Sequence, residues 1–225
     1  MNAQSGMDPW PERRPLRRDA QRNYHRLLDE ARVVMAEQGP DASLEEIARR
    51  ASVGIGTLYR HFPTRDDLIR ALYDRALAEL ADIAPEVLGA PTAWQGLVVF
   101  IERVSEWIIA DPGLPAIMQR MAVITPDYRP AGRFEEPIAA LVARAKAEGE
   151  LRADVDPVDV TVIVTMLGSL GRYGDGYREH WRRQLAIVLD GLRAPGHEPT
   201  ELPGVALHVD DFHRIVHDAE RVSPE

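Results

Sequence analysis

SLEEIARRASVGIGTLYRHF, residues Ser43–Phe62, is the stretch on which the reading of the whole chain turns. Ser43 followed three residues later by Glu46 is a capping-box signature, so a helix is expected to start there. Leu44, Ile47, Ala48 and Ala51 recur at helical spacing and form one apolar face, with Arg49 and Arg50 turned away from it. Ser52-Val53-Gly54 breaks the pattern, and Gly54 suits a bend because it has no side chain. The spacing predicts a second helix over Ile55–His61, with Val53 and Leu58 inward and Thr57, Tyr59, Arg60 and His61 outward.

A helix this short does not stand alone, because nucleation is costly and an isolated helix needs roughly 12–15 residues to be marginal. Packing against the helix before it must hold it. Its outward face carries hydroxyls, an aromatic ring, a guanidinium and an imidazole. Such groups suit a duplex, where phosphates accept hydrogen bonds and base edges are read from the major groove. A helix–turn–helix puts its second helix in that groove.

The run IARRASVGIGTLYRHFPTRDDLI resembles the DNA-binding signature of the TetR family of transcriptional regulators. The matched elements are Ile47-Ala48, Ala51, Val53, Gly56-Thr57-Leu58-Tyr59, Phe62 and Arg65–Leu68, with Ala31 and Gly39 upstream. The resemblance implies an all-α chain. An N-terminal three-helix DNA-binding head with a helix–turn–helix would precede a C-terminal helical ligand-binding and dimerisation domain. It implies that Thr57, Tyr59 and His61 face DNA, Tyr59 on a phosphate, and that Arg65 stands where the family usually has a phosphate-contacting Lys. Ile55, Arg60, Ser43 and Arg49 complete the candidate DNA-binding set; Arg49 and Arg50 are either phosphate ligands or a solvated face. Two positions depart from the family pattern: Gly54 replaces a common Ser, and Ile55 replaces a frequently polar residue.

The chain has no cysteine, which excludes disulfides and thiolate metal sites and permits a cytoplasmic location. No apolar run approaches the roughly 20 residues of a membrane span, and the first residues lack an apolar signal core. The net charge of −9 argues against coating nucleic acid by bulk charge. Residues 1–65 carry 11 arginines against 9 acids, and the remainder 16 basic against 27 acidic residues, so the mild positive bias sits with the proposed head.

In chain order, residues 1–18 read as a flexible basic arm with Arg13, Arg14, Arg17 and Arg18, residues 19–65 as the head, 66–195 as the body and 196–225 as a tail. Helices are expected over Asp19–Gln38, Arg65–Ile83, Thr92–Ala110, Leu114–Val123, Phe134–Glu148, Pro157–Gly171 and Tyr177–Leu192, with a break over Pro85–Pro91. Thr64 with Asp67 caps the helix after the head. VTVIVTM, inside the segment from Pro157, is also rich enough in β-branched residues for a strand.

The last two of these helices look like a dimer interface making a four-helix bundle, through Val164, Leu167, Trp181, Leu185, Val188 and Leu192; the alternative is that they close the monomer core. Phe100, Trp107, Met118, Met121, Tyr128, Phe134 and Tyr173 are candidates for lining a small-molecule pocket, or are ordinary core. In the tail, His213 and His217 share a face if helical, and either bind a metal or belong to a helix packed through Phe212, Ile215 and Val216; no metal or cofactor is expected.

The reading is therefore a sequence-specific regulator: a homodimeric repressor on double-stranded operator DNA, released from a palindromic site by a small molecule of unknown identity, with no membrane partner. Its competitors are a DNA-binding regulator without a ligand and an enzyme with an accessory DNA-binding head. Against the enzyme stand the lack of a phosphate-cradling Gly loop, a nucleophile elbow or a strong metal spacing.

Overall fold

The computed structural model describes residues 18–111, 113–125, 132–174, 177 and 180–222. Most of the basic arm, and Tyr128, lie outside the described residues. Eleven α-helices are described: α1 Arg18–Gln38, α2 Leu44–Arg50, α3 Ile55–His61, α4 Arg65–Ala81, α5 Ala84–Leu88, α6 Ala93–Ala110, α7 Leu114–Ile124, α8 Gly132–Ala147, α9 Pro157–Gly168, α10 Trp181–Leu192 and α11 Val209–Val222. A 3-10 turn, Ser169–Tyr173, follows α9. Among the described residues the extended pairing is one isolated bridge, Leu151 to Arg193.

Side-chain caps set the helix starts. Thr64 and Asp67 form a reciprocal capping box on α4, as do Asp156 and Asp159 on α9. Thr92 Oγ1 accepts the Gln95 N–H at the start of α6. Ser43 makes only half of the expected box: it accepts the Glu46 N–H at 3.3 Å, while the Glu46 carboxylate turns to Arg49 and Arg50.

Three expectations are corrected. The segment expected as a break holds α5, because Pro85 falls in the first turn, where its missing N–H has no partner to lose. α4 ends at Ala81 rather than Ile83. VTVIVTM is helix, the first of its two readings. α9 stops at Gly168 and tightens into the 3-10 turn instead of running to Gly171. A Cβ on Gly168 would stand 2.6 Å from Ile108 Cγ2, and one on Gly171 2.9 Å from Ile109 Cα, so both glycines let this segment lie directly on α6.

The bend between α2 and α3 also differs from expectation. Gly54 sits at φ −69°, open to any residue, and the left-handed position is Ser52 at φ 53°. Side chains other than Gly are disfavoured there by roughly 1–2 kcal/mol.

Two hydrophobic cores result. The first joins Leu27, Leu28 and Val34 of α1 to Ile47, Leu58, Phe62, Leu68 and Leu72, and receives Ile117 and Met121 from α7. The second gathers Leu97 and Ile101 of α6, Leu141 of α8, Val164 and Leu167 of α9, and Trp181, Leu185 and Leu192 of α10. Phe134 packs against both.

An ion cluster ties the two together. Arg32 Nε donates to Asp111 Oδ2 at 2.5 Å, and Arg32 Nη1 donates to both Glu79 oxygens at 2.9 and 3.0 Å. Glu79 also accepts from Trp107 Nε1 and Arg75 Nε, both at 3.3 Å. Asp111 Oδ1 accepts the Gly113 N–H at 3.1 Å. Burial alone would raise the Glu79 pKa, but the hydrogen bonds from Arg32 and Trp107 outweigh it and hold the carboxyl below its ordinary value.

Two predictions follow from this packing. Ser52→Gly relieves the left-handed backbone and raises stability by up to about 1 kcal/mol, read as a higher urea midpoint at unchanged slope. Glu79, with its folded pKa lowered, contributes stability that is complete above its unfolded pKa of 4.5 and is lost as pH falls through the folded value. Glu79→Gln therefore lowers stability at pH 7 and flattens the loss below pH 4.5; an unflattened acid limb in denaturant titrations would contradict the assignment.

Candidate nucleic-acid interface

α3 is held by one buried side chain of its own, Leu58, and by its C-cap, Phe62, which is also buried. Phe62 stacks on Tyr24 of α1 with ring centroids 5.2 Å apart, and Tyr24 meets the His61 ring at 5.9 Å. The other face is open. Tyr59 is 45% exposed and Ile55 37%, Arg60 is exposed, and Thr57 is half-buried. Arg60 Nε donates to the Gly56 carbonyl at 3.1 Å, which lays the guanidinium along the helix.

His61 is half-buried, and burial, then the Arg60 charge, lower its pKa. Ser43 serves as the α2 cap and donates to Glu45 Oε2 at 2.9 Å. Arg65 Nη1 donates to the Pro40 and Ala42 carbonyls, so this guanidinium fastens the start of α4 to the loop between α1 and α2.

The arginines of α2 are not bare cations. Arg49 makes a two-point pair with Glu46 at 2.7 Å, and Arg50 bridges Glu46 and Glu37. The hydrogen bonds from Arg49 and Arg50 hold the Glu46 carboxyl down to about 2. A phosphate that takes the Nε and Nη2 donors of Arg49 displaces that half-buried carboxylate. Tyr24, absent from the sequence-derived set, is the aromatic wedge between α1 and α3; its place three and four residues before Leu27 and Leu28 is the signal for its inward side.

The pocket and interface candidates scatter. A cavity of about 360 Å³ lies among the C-terminal end of α4, α5, the start of α6, and α8, and it takes in Phe100 and Phe134. Trp107 instead bonds Glu79, Met121 is buried in the head-side core, Met118 is exposed on α7, and Tyr173 lies in the 3-10 turn. Val164, Leu167, Trp181, Leu185 and Leu192 all belong to the chain's own core, and Val188 packs at its edge. The apolar face left open by α9 is Val158, Val162 and Met166, with Ile187 open on α10.

In the tail, the His213 and His217 rings stand 6.2 Å apart on α11, and Phe212 is exposed. Among the described residues no group of three or more His, Asp or Glu could hold a metal, and no helix is long and apolar enough to cross a membrane.

Residues 27–72 match the family model "Bacterial regulatory proteins, tetR family", and residues 92–194 match "Transcriptional regulator SbtR-like, C-terminal domain". A crystal structure of a TetR transcriptional regulator from Streptomyces coelicolor is similar at 34% identity and a TM-score of 0.55, over 77% of this chain and 99% of that one. The chain belongs to the TetR family. Among curated relatives, the repressor KstR of Mycobacterium tuberculosis is 29% identical over 142 residues, 60% of this chain. The regulator TtgW of Pseudomonas putida is 36% identical over 83 residues, 36% of this chain. The chain spans 64% of KstR and 61% of TtgW, less than two thirds of either.

On this TetR-family head, Tyr59→Ala removes an exposed group, so stability stays within about 0.5 kcal/mol. With Tyr59 on a phosphate, as the resemblance implies, binding to specific and random DNA duplexes weakens by a similar factor; an effect on one operator alone would contradict that role. Leu58→Ala, at a fully buried site, instead costs about 2–5 kcal/mol of folding free energy in denaturant melts.

Proposed function

We propose that this protein is a homodimeric transcriptional repressor that reads a palindromic operator with α3 and leaves it when a small molecule occupies the body. The observation that carries the reading is the division of α3: Leu58 faces the core while Ile55, Tyr59 and Arg60 face out. In this reading Ile55 meets base edges, a thymine methyl being the matching surface, and Thr57, Tyr59, His61 and Arg49 meet phosphates or base edges. Ser43 and Arg65 act at the same surface by holding α2 and the α1–α2 loop in place.

One copy of a seven-residue helix offers little affinity. Two copies related by a twofold axis read half-sites about 34 Å apart. The surface for that pairing is the open stripe Val158, Val162 and Met166 on α9 with Ile187 on α10, and the buried residues of the same helices act by holding the stripe flat. The acidic body keeps DNA away from every surface but the head and so orients the encounter. The protein works in the cytoplasm, where its operator lies.

Release is a population shift. A ligand lowers operator affinity only by its preference for a dimer whose heads are misplaced. α4 transmits it: its Leu68 and Leu72 share a hydrophobic core with Leu58 and Phe62, and its last residues, Leu80 and Ala81, line the cavity. At 1.5 Å per residue this lever is about 25 Å long.

Val162→Asp places a charge at the centre of the open stripe, so the mass by light scattering halves and operator affinity falls, while circular dichroism is unchanged. An unchanged mass would refute the interface. Pull-down of fragmented genomic DNA with the purified protein recovers a palindromic site; a chain that enriches no fragment at low salt would sink the repressor reading.

A further inference from the structure

We infer that the cavity at the junction of α4 and α5 takes an amphipathic monocarboxylate, its apolar chain inside and its carboxylate on Arg144. This rests on the ligand-release reading and names the chemical class that the site accepts.

The walls are the reason for the apolar body. Leu80, Val87, Phe100, Phe134, Ile138 and Leu141 dominate the lining, and Thr92 and Arg144 are its polar members. No acidic side chain lines the cavity. A cationic ligand therefore has no counter-charge there, and a highly polar one would lose its hydration without replacement. The volume of about 360 Å³ is in the range of small-molecule sites. At roughly 30 Å³ for each water-sized group it holds about twelve of them.

The carboxylate follows from the state of Arg144, which shares one helix face with Ala140 and Leu141. Its side chain is 62% exposed, and its Nη2 stands 3.7 Å from Glu148 Oε1, a loose pair. The other Glu148 oxygen accepts the Ala93 N–H at 2.9 Å, at the start of α6. Glu148 is thus shared with a helix N-terminus, and the Arg144 fork keeps donors for a second carboxylate. An arginine offers five N–H donors in a geometry that matches a carboxylate at two points.

The site is also placed to be felt at the head. Phe134 lines the cavity and packs against both hydrophobic cores, and Leu80 and Ala81 are the end of α4. The close approach of α5 to α6 depends on Gly96, where a Cβ would stand 2.9 Å from the Val87 carbonyl.

The test uses the full chain and three probes with the same ten-carbon chain: decanoate, decan-1-ol and decyltrimethylammonium. Isothermal titration is expected to show decanoate binding at least about tenfold more tightly than the alcohol, as a charge-assisted hydrogen-bond pair requires, and the ammonium binding weakest. Arg144→Gln should bring decanoate to the level of the alcohol, and Arg144→Lys should retain part of the preference. Ala140→Trp on α8 and Ala84→Trp on α5 should each abolish binding while circular dichroism and melting stay native; two positions guard against one variant that misfolds. Equal binding of acid and alcohol, tighter binding of the ammonium, an intact preference in Arg144→Gln, or no binding of any probe would overturn the inference.

Operator release is scored separately. If decanoate binds but DNA stays bound, the carboxylate site stands and ligand release through it fails. If some other compound frees DNA equally from wild type, Arg144→Gln and Ala140→Trp, release stands and this site is not its origin.

Discussion

Arg32 is the point on which head and body depend together. It leaves α1 sideways, reaches Glu79 on α4 with one nitrogen and Asp111 at the end of α6 with another. The Asp111 side chain is nearly buried, and it also holds the Gly113 N–H of the turn into α7. Removing one partner of such a pair leaves a charge without compensation, a cost of about 3–5 kcal/mol for a fully buried pair and less here, where Arg32 is partly exposed. Three helices from two hydrophobic cores meet at one guanidinium, and their angles are thereby coupled. α7 adds to the coupling by sending Ile117 and Met121 into the head-side core, and Arg120 of α7 pairs with Asp66 at the start of α4.

This coupling gives the reading helix its orientation. α3 is too short to be rigid by itself, and its position comes from its packing on α2 and from Leu58 and Phe62 in the core shared with α1 and α4. In the proposed mechanism a shift at the far end of α4 reaches α3 through that shared core. Packed cores respond to such a push by switching between arrangements rather than by bending smoothly. Phe134, touching both cores and the cavity, is the side chain through which an occupant of the cavity would change that balance.

The charge pattern of the head has its own logic. Glu37, Glu46, Arg49 and Arg50 form a surface network, half-buried at Glu46 and Arg50, that is satisfied without DNA. Surface pairs of this kind contribute little to stability, typically below about 1 kcal/mol, so exchanging a carboxylate for a phosphate costs little. The network keeps α2 from presenting unscreened positive charge. Ser52 in the left-handed region stores a small strain in the turn that sets the α2–α3 angle.

Much of this chain was legible in its residues. α3 starts and ends where the spacing of Leu58, the break at Ser52–Gly54 and the stop at Phe62 place it, and the Thr64–Asp67 cap of α4 is readable from two residues, because capping and helical periodicity are local physics. The resemblance over the same stretch pointed to the family on which the comparisons agree. Tertiary structure alone decided the rest. α9 is apolar nearly all round, so its sequence carries no marked face, and only contact with α6 assigned Val164 and Leu167 to the core and left Val162 and Met166 open. Trp181 and Leu185 went inward for the same reason: large apolar side chains fill the nearest core before they serve a second chain. The cavity, with Arg144 at its edge, is a gap between the consecutive helices α4, α5 and α6 and the later α8, and no local pattern encodes a gap.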